Sequence, residues 1–347
     1  MSLGPLMVDI AGTELVADDA RVLVHPLVGS VLLFSRNYHD KKQLSALIAE
    51  IRALRTPPLL VAVDHEGGRV QRFRDGFTKL PAAHTLGRNF AVNRRESLDT
   101  ARVAGWLMAS ELRAVGVDFS FAPCVDLDYG VSEVIGDRAF HRDADSVGSL
   151  AVAYMGGMRE AGMSAVAKHF PGHGAVVQDS HTAMPVDRRP LADMEADLRP
   201  YRLLIDNQVP GIMAAHVVFP EVDARPASLS RRWIGGVLRG DLGFHGCVFA
   251  DDLSMAGAAA FGNSTERAEL ALAAGCDVLP VCNDRSAVQT VLNTLNEDVV
   301  NPVSQARLVR MRARALPGDD VGGKAWQDAV SCMAKLSAAP PLVLTKG

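Results

Sequence analysis

The stretch SAVAKHFPGHG, Ser164–Gly174, carries the plan of the chain in miniature. It opens as a run of small apolar residues, meets Lys168 and His169, and is then broken by Pro171, Gly172 and Gly174. A near-continuous apolar run of this kind marks a strand covered on both faces, as in a parallel sheet flanked by helices. The proline and glycines that follow end the strand in a loop. The polar residues therefore stand where strand gives way to loop.

The same pattern recurs on either side. LMVDI (Leu6–Ile10), SVLLF (Ser30–Phe34), LLVAVD (Leu59–Asp64) and VDFSFA (Val117–Ala122) precede SAVAKH (Ser164–His169). GIMAAH (Gly211–His216), CVFAD (Cys247–Asp251) and DVLPV (Asp277–Val281) follow it. Helical patterns lie between these runs. DKKQLSALIAEIRALR places Leu44, Leu47, Ile48, Ile51 and Leu54 on one face. SLDTARVAGWLMASELRAVG ends at Gly116 and SVGSLAVAYMGGMREAG at Gly162, each suited to closing a helix. DMEADLRPYRLLIDNQ, SRRWIGGVLRGDLG and STERAELALAAG continue the alternation, and three more helical segments make up the tail. Eight strands alternating with helices predict an α/β fold, a (β/α)8 TIM barrel. The rival doubly wound sheet usually carries a G-x-G-x-x-G turn, and none follows the first run. No Pro-, Gly- or Ser-rich linker divides the chain. Residues 1–347 are therefore expected to form a single barrel domain, with C-terminal helices packing on its outside.

Composition narrows the function. The 347 residues are 48% hydrophobic and 22% charged, as in ordinary globular proteins with a large core. A net charge of -4 and 5% aromatic residues leave no basic face and few stacking platforms, which argues against nucleic acid as a partner. No stretch approaches the roughly 20 apolar residues that span a bilayer. MSLGPLMVDIAG lacks the basic start of a signal peptide. The five cysteines are scattered, without Cys-x-x-Cys pairs, and read as buried free thiols. A cytoplasmic monomer, away from membranes, is expected.

In such barrels the active site lies at the C-terminal ends of the strands. There this chain places DHEGGRVQRF after Val63, PCVDLD after Ala122, KHFPGHG after Ala167, His216 after Ala215 and DDLSM after Ala250. Three chemistries fit. His169, His173, Asp179 and His181 are possible metal ligands, but Pro171 and Gly172 prevent the helical presentation of an H-E-x-x-H site. Lys168 is a candidate Schiff-base amine. Glycoside hydrolysis needs a carboxylate on one face of the sugar and a proton donor on the other. Asp251 or Asp252 suits the first task. Asp179 and His181, two apart in DSH, suit the second, because a nearby acid orients an imidazole and raises its pKa. Arg72, Arg138, Lys168 and Asp64 would hold hydroxyls. Residue types alone do not choose among the three.

The motifs DHEGGRVQRF, VIGDRAF, KHFPGHG, DSH and ADDLSMAG, in this order from Asp64 onward, resemble the family 3 glycoside hydrolases. More closely, they resemble the single-domain bacterial β-N-acetylhexosaminidases of peptidoglycan recycling. The likeness runs from about Leu6 to about Val281. It implies a retaining exo-β-N-acetylglucosaminidase that needs no cofactor or metal. The implied substrate is N-acetylglucosaminyl-β-1,4-anhydro-N-acetylmuramic acid, with or without peptide. By the same resemblance Asp251 is the nucleophile, and His181 is the general acid/base on a mobile loop with Asp179 as its partner. Asp64, Arg72, Arg138, Lys168 and His169 are the sugar-binding positions. Ala250 departs from a common serine, and HRDAD after DRAF also varies. Larger members carry a second domain that donates the acid; none is expected here, which favours a histidine on the loop. Other glycoside specificity, phosphorolysis or a silent sugar-binding barrel are the rival functions.

Some polar residues have plainer readings. Asp252 is expected to bond to backbone at a helix start. Glu66 and Arg69 are expected to form an ion pair supporting Asp64. His173 and His216 each fit either the site or a purely structural role.

Overall fold

The computed structural model describes residues 3–177, 184–314 and 321–338. All eight expected strands are present: β1 (Leu6–Val8), β2 (Val28–Leu33), β3 (Leu60–Val63), β4 (Phe119–Ser120), β5 (Ser164–Phe170), β6 (Gly211–Ala214), β7 (Cys247–Ala250) and β8 (Leu279–Val281). They pair in parallel in the order β7-β6-β5-β4-β3-β2-β1-β8. A parallel bridge between Phe249 and Val278 and hydrogen bonds from Ala250 N and Asp277 N bring β7 against the approach to β8. The sheet thereby curls into the (β/α)8 barrel.

Asp and Asn side chains start the helices. Asp40, Asn93, Asp143, Asn263 and Asp284 accept backbone N–H groups at the heads of α2 (Lys41–Ala53), α3 (Arg94–Ala114), α4 (Ala144–Glu160), α7 (Ser264–Ala274) and α8 (Arg285–Thr294). A short α1 (Ala17–Leu23), α5 (Glu195–Asp206) and α6 (Arg232–Asp241) complete one helix per strand. SRRWIGGVLRGDLG forms a helix as expected, but wound in the wider i to i+5 pattern; Leu242 N bonds to Val237 O.

Inside the barrel, Phe119, Phe121 and Phe249 meet with ring centroids 5.3–5.6 Å apart. Buried alanines at 62, 165, 167 and 214 leave room for them. Large rings facing small residues fill the interior, so this is a packed core rather than a pore.

The tail does more than cover the outside. Leu308 near the end of α9 (Pro302–Val309) and Met311 just past it are buried, Ala313 N bonds to Asp118 and Arg314 N bonds to Gly162 O. This segment thus reaches the end of the barrel where the strands begin. The last helix, α10 (Lys324–Ala338), lies against α3, where Trp326 Nε1 donates to Glu111 Oε1 at 3.0 Å.

Helices α3 and α4 pack backbone to backbone. A Cβ on Gly157 would lie 1.9 Å from Arg102 O, and one on Gly105 2.1 Å from Tyr154 O. Neither backbone can yield without parting the helices. Gly157→Ala should therefore destabilise the protein by about 1–3 kcal/mol, the usual cost of overpacking. Urea melts of the two proteins give the difference. Gly156→Ala, which would meet nothing within 4 Å, is the control and should be neutral or slightly stabilising.

Candidate active site

The chain after β3 turns back at once. His65–Gly67 pairs antiparallel with Val70–Gln71 around Gly67 and Gly68, whose φ values are 101° and 56°. Both values favour glycine. The hairpin carries Asp64, Glu66 and Arg72 to the mouth of the barrel. Arg138 comes from the Gly136–Arg138 turn, Lys168 and His169 from the end of β5, and Asp251 and Asp252 from the end of β7. All of them line one cleft of about 440 Å³ floored by Leu32, Phe121, Met213 and Pro280. That size is usual for a small-molecule site. Six expected site residues, Asp64, Arg72, Arg138, Lys168, His169 and Asp251, are therefore brought together. Asp179 and His181 lie outside the described residues.

Glu66 ties the cleft together. Arg138 donates to it through Nε and Nη2, both at 2.9 Å, and Lys168 Nζ lies 2.6 Å from Oε1. Lys168 also donates to Asp64 Oδ1 at 2.7 Å. Arg72 Nη2 lies 3.9 Å from Asp64 Oδ2. Burial alone would push the Glu66 carboxyl up, but the charges of Arg138 and Lys168 outweigh it and hold it well below the usual carboxylate range. Burial would likewise push Lys168 down; Asp64 and Glu66 reverse this and raise it. An amine so held is an ammonium ion, unsuited to Schiff-base chemistry.

A second buried carboxylate holds the other side. Asp126 is 1% exposed. It accepts from His169 Nδ1 at 2.7 Å and from His173 N at 2.7 Å. Cys124 Sγ donates to it at 3.2 Å. His169 Nε2 lies 3.3 Å from Arg138 Nη2. Burial opposes ionisation of Asp126, but His169 and His173 together lower it well below its usual range. Cys124, Asp126 and His169 stand close enough to share a metal ion. Their donor set fits one poorly. Asp126 is already committed to His169, His173 and Cys124, burial raises the Cys124 thiol well above its usual range, and the Arg138 cation adjoins the imidazole.

Two plainer readings change, and the open one for His216 is decided. Arg69 does not pair with Glu66. The hairpin turns it outward to Asp137 and to the carbonyls of Glu133 and Val134, while Glu66 faces inward to stronger partners. Asp252 does bond to backbone, but not at a helix start. Its Oδ1 accepts from Ser254 N, Ser254 Oγ and Cys282 N, linking the loops after β7 and β8. Burial pushes its carboxyl up to about 7. His216 is buried between Ser228 Oγ at 2.6 Å and Asp252 O at 2.9 Å, which is a structural placement.

Residues 6–314 match the model of the glycosyl hydrolase family 3 N terminal domain. The chain belongs to glycoside hydrolase family 3. Within this family it is 53% identical, over 99% of both chains, to a β-hexosaminidase of Thioalkalivibrio sulfidiphilus. It is 57% identical to one of Thiobacillus denitrificans over 90% of this chain and 87% of the other. Its fold is similar to that of NagZ from Neisseria gonorrhoeae in complex with N-trifluoroacetyl-D-glucosamine, with a TM-score of 0.92, 41% identity and coverage of 98% and 99%. The enzyme is a β-N-acetylhexosaminidase of this family.

The cluster around Glu66 makes a prediction. Glu66→Gln leaves Arg138 and Lys168 buried beside a neutral amide, and should cost about 3–5 kcal/mol. The pH dependence should change too. A carboxyl held low in the folded state stabilises above the unfolded pKa of about 4.3 and loses that effect as pH falls. Melting temperatures between pH 7 and pH 3 should therefore drop steeply below about pH 4.3 in the unaltered enzyme. The Glu66→Gln variant should start lower and show a shallower acid limb. Equal limbs in the two proteins would contradict the assigned ion cluster.

Proposed function

We propose that the enzyme is a retaining exo-β-N-acetylglucosaminidase and that Asp251 is its nucleophile. The observation that carries this reading is the convergence of Asp64, Arg72, Arg138, Lys168, His169 and Asp251 on a single cleft. The carboxylates, ammonium, guanidinium and imidazole groups are fixed by one another before any ligand arrives, so little ordering is needed when sugar hydroxyls replace water. Asp251 is anchored by its own backbone N–H to Ala214 O at 3.0 Å, and its Oδ1 accepts from Asp252 N at 2.9 Å. Burial pushes the Asp252 carboxyl up to about 7, so below that pH it is mostly protonated and adds little repulsion beside Asp251.

In the proposed reaction Asp251 attacks the anomeric carbon while His181, oriented by Asp179, gives a proton to the leaving oxygen. Water then releases the sugar from Asp251, with His181 taking the proton back. Family resemblance supplies the roles of His181 and Asp179, and the choice of Asp251 over Asp252 accords with the hydrogen bonds that occupy Asp252. The substrate we infer is N-acetylglucosaminyl-β-1,4-anhydro-N-acetylmuramic acid, with or without peptide, as in cell-wall recycling. Binding of N-trifluoroacetyl-D-glucosamine by the Neisseria relative supports an N-acylglucosamine in this cleft. A cytoplasmic setting suits four buried cysteines that remain free thiols.

The test is release of 4-nitrophenol from its N-acetyl-β-glucosaminide. Asp251→Ala should lower kcat by about 10⁴-fold or more, and His181→Ala by roughly 10²–10⁴-fold. A 5-fluoro sugar should leave its mass on the peptide that contains Asp251. Mass on Asp252 instead, or full rate in Asp251→Ala, would overturn the nucleophile. Phosphate should not be needed for turnover, and chelator should leave the rate unchanged. Sugar 1-phosphate formed only with added phosphate would mark a phosphorylase.

A further inference from the structure

His173 lines the cleft, is 2% exposed, and neither of its ring nitrogens has a partner among the described residues. A buried imidazole is normally hydrogen-bonded. This one is also held in place with unusual firmness. Its backbone N–H is bound by Asp126 Oδ1 at 2.7 Å. Gly172 before it has φ of 144°, and a Cβ there would lie 2.8 Å from Asp197 Oδ1. Gly174 after it passes so close to Leu127 that a Cβ would lie 1.9 Å from the carbonyl oxygen. The ring stands 6.0 Å from that of His169, centroid to centroid, at 68°.

We propose that His173 is a further sugar-contacting residue of this site, hydrogen-bonding a hydroxyl or the acetamido group of the bound N-acetylhexosamine between His169 and Asp251. The proposal rests on the assignment of the cleft made above. Burial, and then the neighbouring His169, lower the His173 imidazole against the smaller opposing pull of Asp126 and Asp251, so the ring is neutral near pH 7. A neutral imidazole offers one N–H and one lone pair. A sugar hydroxyl both gives and accepts, and so matches either nitrogen. The unpartnered ring weakens the free fold, and the substrate supplies the missing hydrogen bond. Part of the binding energy thus comes from a group left unsatisfied in advance, as functional sites often require.

The measurement is competitive inhibition of 4-nitrophenyl N-acetyl-β-glucosaminide hydrolysis by N-acetylglucosamine, in the unaltered enzyme and in His173→Leu. Leucine has similar bulk and no hydrogen-bonding group. It should raise Ki and lower kcat/KM by about tenfold, the scale of one lost hydrogen bond. The melting temperature should hold or rise, because a buried polar ring has been removed; a purely structural histidine would give a lower melting temperature and an unchanged Ki. An unchanged Ki overturns the contact. A fall in kcat with Ki unchanged also overturns it, and would place His173 in the service of the segment that bears His181. Should His173→Leu fail to fold, His173→Met, unbranched and without a strong hydrogen-bonding group, decides in the same way, by whether Ki rises. Full rate in Asp251→Asn would instead remove the cleft assignment on which this proposal stands.

Discussion

One buried carboxylate, Glu66, fixes the positions of Arg138 and Lys168, and through them most of the cleft. The three residues come from separate parts of the chain: Glu66 from the hairpin after β3, Arg138 from the turn at Gly136–Arg138 and Lys168 from the end of β5. Charges in such a place are expensive to bury, and they remain ionised only because each finds an opposite charge within hydrogen-bonding distance. The arrangement then spreads. Lys168 holds Asp64, Arg138 adjoins His169, and Asp126 holds His169 and the backbone of His173. On the proposed reading, a sugar would meet groups whose rotamers are already set. That is the condition under which hydrogen bonds to hydroxyls yield affinity rather than being consumed in ordering side chains.

The barrel was legible because its strands are buried on both faces and are nearly uninterrupted apolar runs. All eight were found, and each ended within a few residues of the expected place. The site was legible only in part. Four of its residues, Asp64, Lys168, His169 and Asp251, stand at or next to strand ends, where a polar residue after an apolar run is conspicuous; Arg72 and Arg138 lie in the loops beyond. Glu66 stands in the same motif as Asp64 and Arg72, yet its partners are not local. The hydrogen bonds from Arg138 span 72 positions, and the nearer Arg69 looked like the natural mate. Nothing in DHEGGRV shows that a two-glycine turn sends Arg69 outward. Asp126 was seen in PCVDLD but not given a role. Parallel pairing continues past the end of β4, through the bridge between Cys124 and Lys168, and this carries Asp126 alongside His169.

Strand alternation explains another limit. It predicts that neighbours point to opposite sides, which would let only one of Asp251 and Asp252 face the cleft. Both line it, because β7 ends at Ala250 and the two acids belong to the loop. What separates them is hydrogen bonding: Asp252 is occupied by Ser254 and Cys282. Lys168 and His169 likewise line one cleft although they are adjacent, where the register of β5 against β6 shifts between Ala167 and Phe170. At the mouth of the barrel the backbone leaves the sheet or shifts its register, and periodicity no longer says where a side chain goes.

The two ends of the barrel treat buried charge in different ways, and the difference separates support from function. Asp277, before β8, accepts from Arg239 and Val248 N on one oxygen and from Ser304 and Arg307 on the other. Asp118, before β4, accepts from Val61 N and Ala313 N and lies 3.0 Å from Arg52. Both carboxylates are saturated by strand, helix and tail, and these contacts fasten α9 and the segment after it to the barrel. At the opposite end the carboxylates are equally well held, but they hold cations and imidazoles that retain unused hydrogen-bonding capacity toward the cleft, His173 above all. A charge cluster that satisfies only itself is a brace. One that is ordered internally and incomplete toward a cavity is built to be completed by a ligand, and in this barrel that contrast follows the division between the stabilising end of the strands and the catalytic end.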